Sequence, residues 1–457
     1  MNYQSNDNGQ MKREVGLFGS FSILAGIMIG SGIFYIGSYI LVRSGMNIGL
    51  SLVIWILGGL ITLMSGVCFA ELGAMIPKAG GSYVYLREAY GKRIAFISGF
   101  SNFILGASGT NAALGIAFAS AVSIFIPMAS FTQKLFAVGT ILLITIVNVF
   151  GIRFGSKLQN IFMVLKLLPI ILIILCGLFK GTQPIDFHFH QVEDVNIFSL
   201  IGMISFALIA TIWAFQGWNQ LNGVAEEIKN PQRNLPLAII LSICGVILLY
   251  FLFDFSIYRV VSIDMIQSSL QEGNYYLGNV AANLIFGNFG KYVVGITMIL
   301  SIFNSLNGCI MVYPRTYYAM AKDGAFFSSV AKLHPKYKTP TNALYVSAIV
   351  SCLLIFARDL SQLTNLVALV NIVFNGMIFY AVIILRKKYP TMHRPYRVWA
   401  YPLSIIFIVC IMTGLMMSML IEDPITSIIG FIVPIVGLVL YHLFFYKKVG
   451  KQNNEIK

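Results

Sequence analysis

Apolar runs of bilayer length follow one another along almost the whole chain, and they leave few folds open. A helix needs roughly 20 apolar residues to cross the hydrocarbon core, and inside lipid its backbone groups must be satisfied within the segment. Twelve candidate spans lie near 17–41, 47–76, 94–127, 135–151, 158–180, 197–225, 235–258, 290–320, 341–357, 361–385, 400–421 and 424–446. At 58% hydrophobic and 11% charged residues, the composition is far from the soluble average of about 25% charged. The expectation is an all-α polytopic membrane protein with twelve transmembrane helices and no room for a soluble domain. Lys12 and Arg13 precede the first run, but no small-residue cleavage site follows, so it reads as a retained span and not a signal peptide.

A net charge of +14 would suit a nucleic-acid partner if it were spread evenly. It is not. Of the 31 Lys and Arg, only Arg43, Lys134, Lys180, Arg259, Lys291 and Arg358 fall in the connections on one side; Lys166 lies within a span, and the other 24 fall on the opposite side. By the positive-inside rule, that asymmetry places both termini in the cytoplasm of a cell membrane and removes the argument for nucleic acid. All six cysteines sit in apolar runs, and the histidines sit in loops or near a membrane exit. No disulfide framework, metal site or cofactor is expected.

The first span is interrupted. Between Val15 and Ser44 the midpoint reads Ile29-Gly30-Ser31-Gly32-Ile33, and each helix-interior glycine costs about 1 kcal/mol relative to alanine. Broken backbone at membrane depth is tolerated where it is buried in protein or lines a cavity. The N–H groups that start the second half-helix, at its positive dipole end, would suit a carboxylate. Close helix packing on small residues accounts for the glycines equally well.

Later spans carry further polar groups. Glu71 lies about one and a half turns from the cytoplasmic end of span two, where an ion pair holding helices is the simplest role. Span three has Ser108, Gly109, Thr110 and Asn111 at its middle; Asn111 is a candidate substrate contact, although one such side chain also serves as helix glue. Lys166 is about nine positions inside span five, close to Pro169. A lysine at that depth is a functional hypothesis, with snorkelling to the interface as the alternative. Span six repeats the theme of the first: Gln216, Gly217 and Asn219 interrupt it at mid-membrane. Two broken spans five apart run in opposite directions, as in an inverted repeat of five plus five spans with the site at the midplane. The halves would be 15–180 and 197–386, with 400–446 as two additional helices of one transmembrane domain. The loop 181–196, with Asp186, His188, His190, Glu193 and Asp194, reads as a solvated loop. The connection 259–289 has apolar pieces such as Tyr276 to Phe286 and reads as a re-entrant or interfacial cap. On span eight, Ser301, Asn304 and Ser305 share one face, which either meets Lys166 or forms a helix-helix seam.

Several motifs in this order resemble one family. Gly30-Ser31-Gly32-Ile33-Phe34, Ala70-Glu71-Leu72-Gly73, Ile76-Pro77-Lys78 with Gly80-Gly81, and Gly217-Trp218-Asn219 through Glu226-Glu227 to Asn230-Pro231-Gln232-Arg233-Asn234-Leu235-Pro236 resemble the L-amino acid transporters of the amino acid-polyamine-organocation superfamily. The resemblance implies a leucine-transporter-type fold with helices 1 and 6 unwound around the substrate. By motif position, the amides of Gly30, Ser31 and Gly32 would take the carboxylate, and the carbonyls of Met28, Trp213, Ala214 and Gln216 the ammonium, with Phe215 beside them. It also implies that Lys166 stands where sodium sits in ion-coupled relatives, tying carbonyls near Gly26 and Ile27 to Ser301 or Ser305. Trp213 and Gln216 replace the usual phenylalanine and glycine of mammalian members, which suggests a preference for small substrates. The connection Pro127 to Lys134 lacks the cysteine that tethers those members to a heavy chain, so a single-chain bacterial carrier is implied.

The leading expectation is secondary active transport of neutral L-amino acids, as sodium-independent exchange. A proton-coupled symporter or a polyamine carrier is the alternative in the same class. An enzyme is disfavoured, because no catalytic His, Cys or carboxylate pair lies at membrane depth. A channel is disfavoured by the lack of a selectivity-filter segment or charged ring.

Overall fold

The computed structural model describes residues 11–185, 187, 197–358, 360–422 and 424–445. Within these, all regular structure is helical. The first group comprises α1 (Leu17–Met28), α2 (Ile36–Arg43), α3 (Ile48–Met75), α4 (Ser82–Tyr90), α5 (Lys92–Ser101), α6 (Ala107–Ser123), α7 (Ser130–Val149) and α8 (Ile152–Lys180). The second runs through α9 (Ile197–Ala214), α10 (Pro231–Val260), α11 (Ile263–Gln271), α12 (Leu277–Phe286), α13 (Gly290–Val312), α14 (Pro314–Lys322), α15 (Thr341–Ala357) and α16 (Leu360–Lys388). The last two helices are α17 (Leu403–Glu422) and α18 (Pro424–Leu440). Asp186, His188, His190, Glu193 and Asp194 of the expected solvated loop lie outside the described residues, as do both chain ends.

Among the described residues, nine helices are long and apolar enough to cross a membrane, accompanied by three shorter apolar ones at Leu17–Met28, Leu200–Ala214 and Thr341–Ala357. Two of the short ones fall short for a local reason: each stops at a break. The connection 259–289 folds into α11 and α12. Just before α12, Tyr275 stacks on Tyr39 with ring centroids 4.7 Å apart, and Tyr276 packs on Tyr35 at 5.7 Å. It therefore covers α2, as a cap would.

The core is set by close helix contact. α3 runs along α10, and the side chains of Ile247 and Ile243 fill the space where Gly59 and Gly66 of α3 would carry a Cβ. With lipid as apolar as the side chains, backbone approach through small residues is a main source of association energy. Between α5 and α6 the helix widens to a π turn over Asn102–Gly106, a feature common at functional sites.

One end of the bundle is tied by buried ion pairs. Both carboxylate oxygens of Glu71 on α3 accept from Arg386 on α16, at 2.8 and 2.6 Å, and one of them also accepts the Val398 N–H at 2.7 Å. Glu71 is thus an ion-pair residue, remote from the breaks. A second pair joins Glu227 to Arg315 at 2.8 and 3.3 Å, with side chains 2% and 0% exposed. The Glu227 carbonyl accepts from the N–H groups of Glu14 and Val15, both at 3.0 Å, so the segment leading into α1 is held by the same residue.

Removing one partner of a buried pair leaves an uncompensated charge, at about 3–5 kcal/mol. Arg315→Met is expected to lose about that much stability, and adding Glu227→Gln should restore part of it. Thermal unfolding in detergent, read for both variants, checks this; a single variant that melts with the wild type would rule out the tie.

Candidate functional site

The two breaks are built from backbone that has stopped making helical bonds. α1 ends at Met28, residues 29–31 are irregular, and one 3-10 turn at Gly32–Phe34 leads into α2. The Gly30 N–H donates back to the Met28 carbonyl at 2.9 Å. Phe34 and Tyr35 donate to the carbonyls of Ser31 and Gly32. The N–H groups of Ser31 and Gly32 find no acceptor among the described residues, as expected for the first amides of a helix.

The second break follows Ala214. Phe215 and Gln216 donate to Thr211 and Trp213 at 2.9 and 3.1 Å, and then Gly217 turns the chain at φ 105°, a conformation that side-chain-bearing residues rarely adopt. The chain continues as a 3-10 stretch over Gln220–Glu227. The two breaks touch each other: a Cβ on Gly32 would lie 3.5 Å from the Ala214 Cα, and one on Gly217 would strike the Ile27 side chain. The glycines therefore serve both readings of the sequence, since they break the helices and let the broken pieces meet.

Lys166 of α8 supports the first break from behind. It is fully buried, and its ammonium nitrogen donates to the carbonyls of Gly26 at 2.8 Å and Ile29 at 2.6 Å. Ser305 of α13 donates into the same group of carbonyls, 3.1 Å from Gly26 and 3.1 Å from Ile27. The lysine does not snorkel. Its second acceptor is Ile29 where Ile27 is expected, and Ile27 is met by Ser305. Ser301 and both polar atoms of Asn304 are buried without a protein partner. A seam also runs along α13: Asn307 donates to Gln159 at 2.7 Å and accepts from Asn148 at 3.0 Å.

Three of the four carbonyls assigned to the ammonium, those of Met28, Trp213 and Ala214, already have donors. The hydroxyl of Tyr250 on α10 lies 2.9 Å from the Met28 oxygen and 3.0 Å from the Ala214 oxygen, so one side chain bridges both breaks. The Trp213 carbonyl accepts from Gln216, and its indole N–H donates to the Tyr35 hydroxyl at 3.1 Å. Phe215 is turned away from the break: its ring packs on Trp55 at 5.9 Å and Tyr250 at 5.2 Å. Asn111 is buried with its carbonyl oxygen unpartnered, on a helix that packs against α7, α13, α15 and α16. Of these neighbours, α13 also meets the first break, through Ser305.

Three features have no counterpart in the sequence reading. Tyr250 lies in an apolar run where no pattern marks it. A polar cavity beside the second break is lined by Gly80, Asn102, Asn219, Thr316, Asn371 and Asn375, and Asn219 donates to Asn375 at 3.1 Å; its residues come from five separate stretches. Asp254, one turn beyond Tyr250 on α10, is buried and accepts from the Trp55 indole N–H. An ionisable residue inside an apolar run was the signal that marks it.

Comparison with known proteins bears on this arrangement. A family model described as amino acid permease matches residues 15–447. The serine/threonine exchanger SteT of Bacillus subtilis (strain 168) is 30% identical over 439 residues, covering 95% of this chain and 97% of that protein. The b(0,+)-type amino acid transporter 1 of Mus musculus is 30% identical over 451 residues, covering 96% and 89%. The large neutral amino acids transporter small subunit 2 of Homo sapiens is 30% identical over 455 residues, covering 95% and 81%. This similarity runs through both breaks and the helices that support them, and the chain belongs to the amino acid permease family.

Proposed function

We propose that this chain exchanges neutral L-amino acids across the plasma membrane by alternating access, without sodium. The observation that carries the reading is the contact of the two breaks, with the free N–H groups of Ser31 and Gly32 on one side of it. Those amides start a helix, where backbone donors and the dipole favour a carboxylate. The Gly30 amide is less available, because Met28 already accepts from it. The Met28 and Ala214 oxygens converge on one point, held by the single proton of the Tyr250 hydroxyl. An ammonium brings three donors and satisfies both at once. Trp213 and Gln216 flank the same point.

The remaining assignments belong to the same reading. Residues 15–180 and 197–386 form the two inverted halves of a twelve-helix transmembrane domain, with 400–446 added. The distribution of Lys and Arg puts both termini in the cytoplasm. The Lys166 ammonium supplies, from within the chain, the positive charge that a bound cation would bring to the Gly26 and Ile29 carbonyls. Exchange among serine-sized substrates agrees with SteT being a serine/threonine exchanger and with the bulk of Trp213. The chain works without a disulfide-linked partner.

Three measurements test these assignments in liposomes. Gly32→Leu places a side chain between Gly32 and Ala214, and is expected to abolish uptake while reaching the membrane normally; wild-type uptake would move the site elsewhere. In a competition panel against labelled serine, alanine, serine, threonine and cysteine should outcompete leucine and phenylalanine, and Trp213→Ala should admit the larger ones. The opposite ranking would refute a small-substrate site. Lys166→Ala is expected to slow exchange or shift the affinity on one side, with the fold intact by thermal unfolding. Wild-type kinetics from both sides would refute the tie, and a requirement for a sodium gradient in the wild type would refute the cation substitution.

A further inference from the structure

Asp254 is a carboxyl group in the wrong place for a simple structural role. It is 4% exposed, inside an apolar helix, and its only hydrogen bond among the described residues comes from the Trp55 indole to one oxygen. Gly37 of α2 lies directly against the carboxyl group: a Cβ there would collide with both oxygens. The neighbouring Phe253 ring packs edge-on against Phe34, in the 3-10 turn that leads into α2, with centroids 5.7 Å apart. The group is therefore walled by α2 and α3.

Among the described residues, no cation faces it from any packed element. On its own helix the neighbours are Tyr250, engaged with two carbonyls, and Tyr258, paired with Ser51 at 3.1 Å. On α2, Tyr39 stacks on Tyr275, and Arg43 donates to the Phe206 carbonyl at 2.8 Å. On α8, Lys166 is held by Gly26 and Ile29, and Lys180 is exposed. Arg259 donates to the carbonyls of Gln183 and Gly181. The described parts of α1, α9 and α12 contribute no ionisable side chain. A buried carboxylate with one neutral donor and no cation carries a penalty of several kcal/mol, and a bound proton removes it.

We propose that Asp254 is a proton-binding site: its carboxylate takes one proton from the external solution as α2 closes over it, and returns that proton when α2 moves away. The proposal rests on the alternating-access reading, in which α2 is the outer half of the first broken span and moves. The site is wired to the substrate position by contact. Trp55 holds Asp254 with its N–H and packs its ring on Tyr250 at 5.1 Å, and Tyr250 is the residue that bridges the two breaks. Closure around an amino acid and uptake of a proton are then one event, and acidity outside favours it.

Two readouts test this on the full-length protein, and Asp254→Asn is the variant for both because it keeps the shape and an acceptor for Trp55. The first is the infrared difference spectrum of the purified proteins at neutral pH. The wild type should show a protonated-carboxyl band that Asp254→Asn lacks, and identical carboxyl regions would overturn the proposal whether or not transport is seen. The second is initial uptake of labelled serine into liposomes at fixed internal pH. Wild-type uptake is expected to rise about threefold or more as the external pH falls from about 8 to about 6, whereas Asp254→Asn stays flat. A shared profile, or a flat wild type, would overturn it. No uptake by either protein would count against the carrier reading and leave the infrared result to decide the proton site.

Discussion

A carbonyl that has lost its helical partner inside a membrane protein must find another donor or bear the cost of burial. That constraint organises the centre of this molecule. Breaking the first span releases acceptors between Gly26 and Ile29, and donors from three helices meet them: Lys166 from α8, Ser305 from α13 and Tyr250 from α10. The break is thus the point where three helices are held to a fourth. A continuous first helix would leave Lys166 buried with no acceptors, and the lysine without the break would be as costly as the break without the lysine.

The second break obeys the same rule with different means. Its Ala214 carbonyl shares the Tyr250 hydroxyl with Met28, and its glycine turns the chain tightly enough for Ile27 to lie against it. Each break therefore completes the other. The Ser31 and Gly32 amides, by contrast, have no acceptor among the described residues.

Legibility in the sequence follows the range of the signal. Both breaks were visible, because glycines and polar residues interrupt a run that otherwise has to be apolar. Lys166 was visible for the same reason. The choice of Ile29 over Ile27 as its acceptor was not, since carbonyl directions in an unwound segment follow no helical period. Asn111 marks the limit of that signal: a polar residue at mid-span carries depth but not azimuth, and its helix packs against α7, α13, α15 and α16. The polar cavity was out of reach: Asn219 marks the second break, but Asn102, Asn371 and Asn375 are unremarkable singly and meet it only through tertiary packing.

The placement of charge separates what is fixed from what can change. Glu71 and Glu227 sit at one end, each gripped by arginine through two oxygens, and Glu227 also anchors the entry to α1. Such pairs resist separation, because parting them strands both charges. Asp254 has no such partner and lies under α2, the short half-helix that is joined to α1 only through irregular backbone. The unpaired acid is covered by the short α2, whereas Glu71 ties the long helices α3 and α16. A motion that opens the molecule at the α2 end exposes a group that water stabilises. The other end is held by ion pairs, so the two ends differ in how their buried acids are compensated.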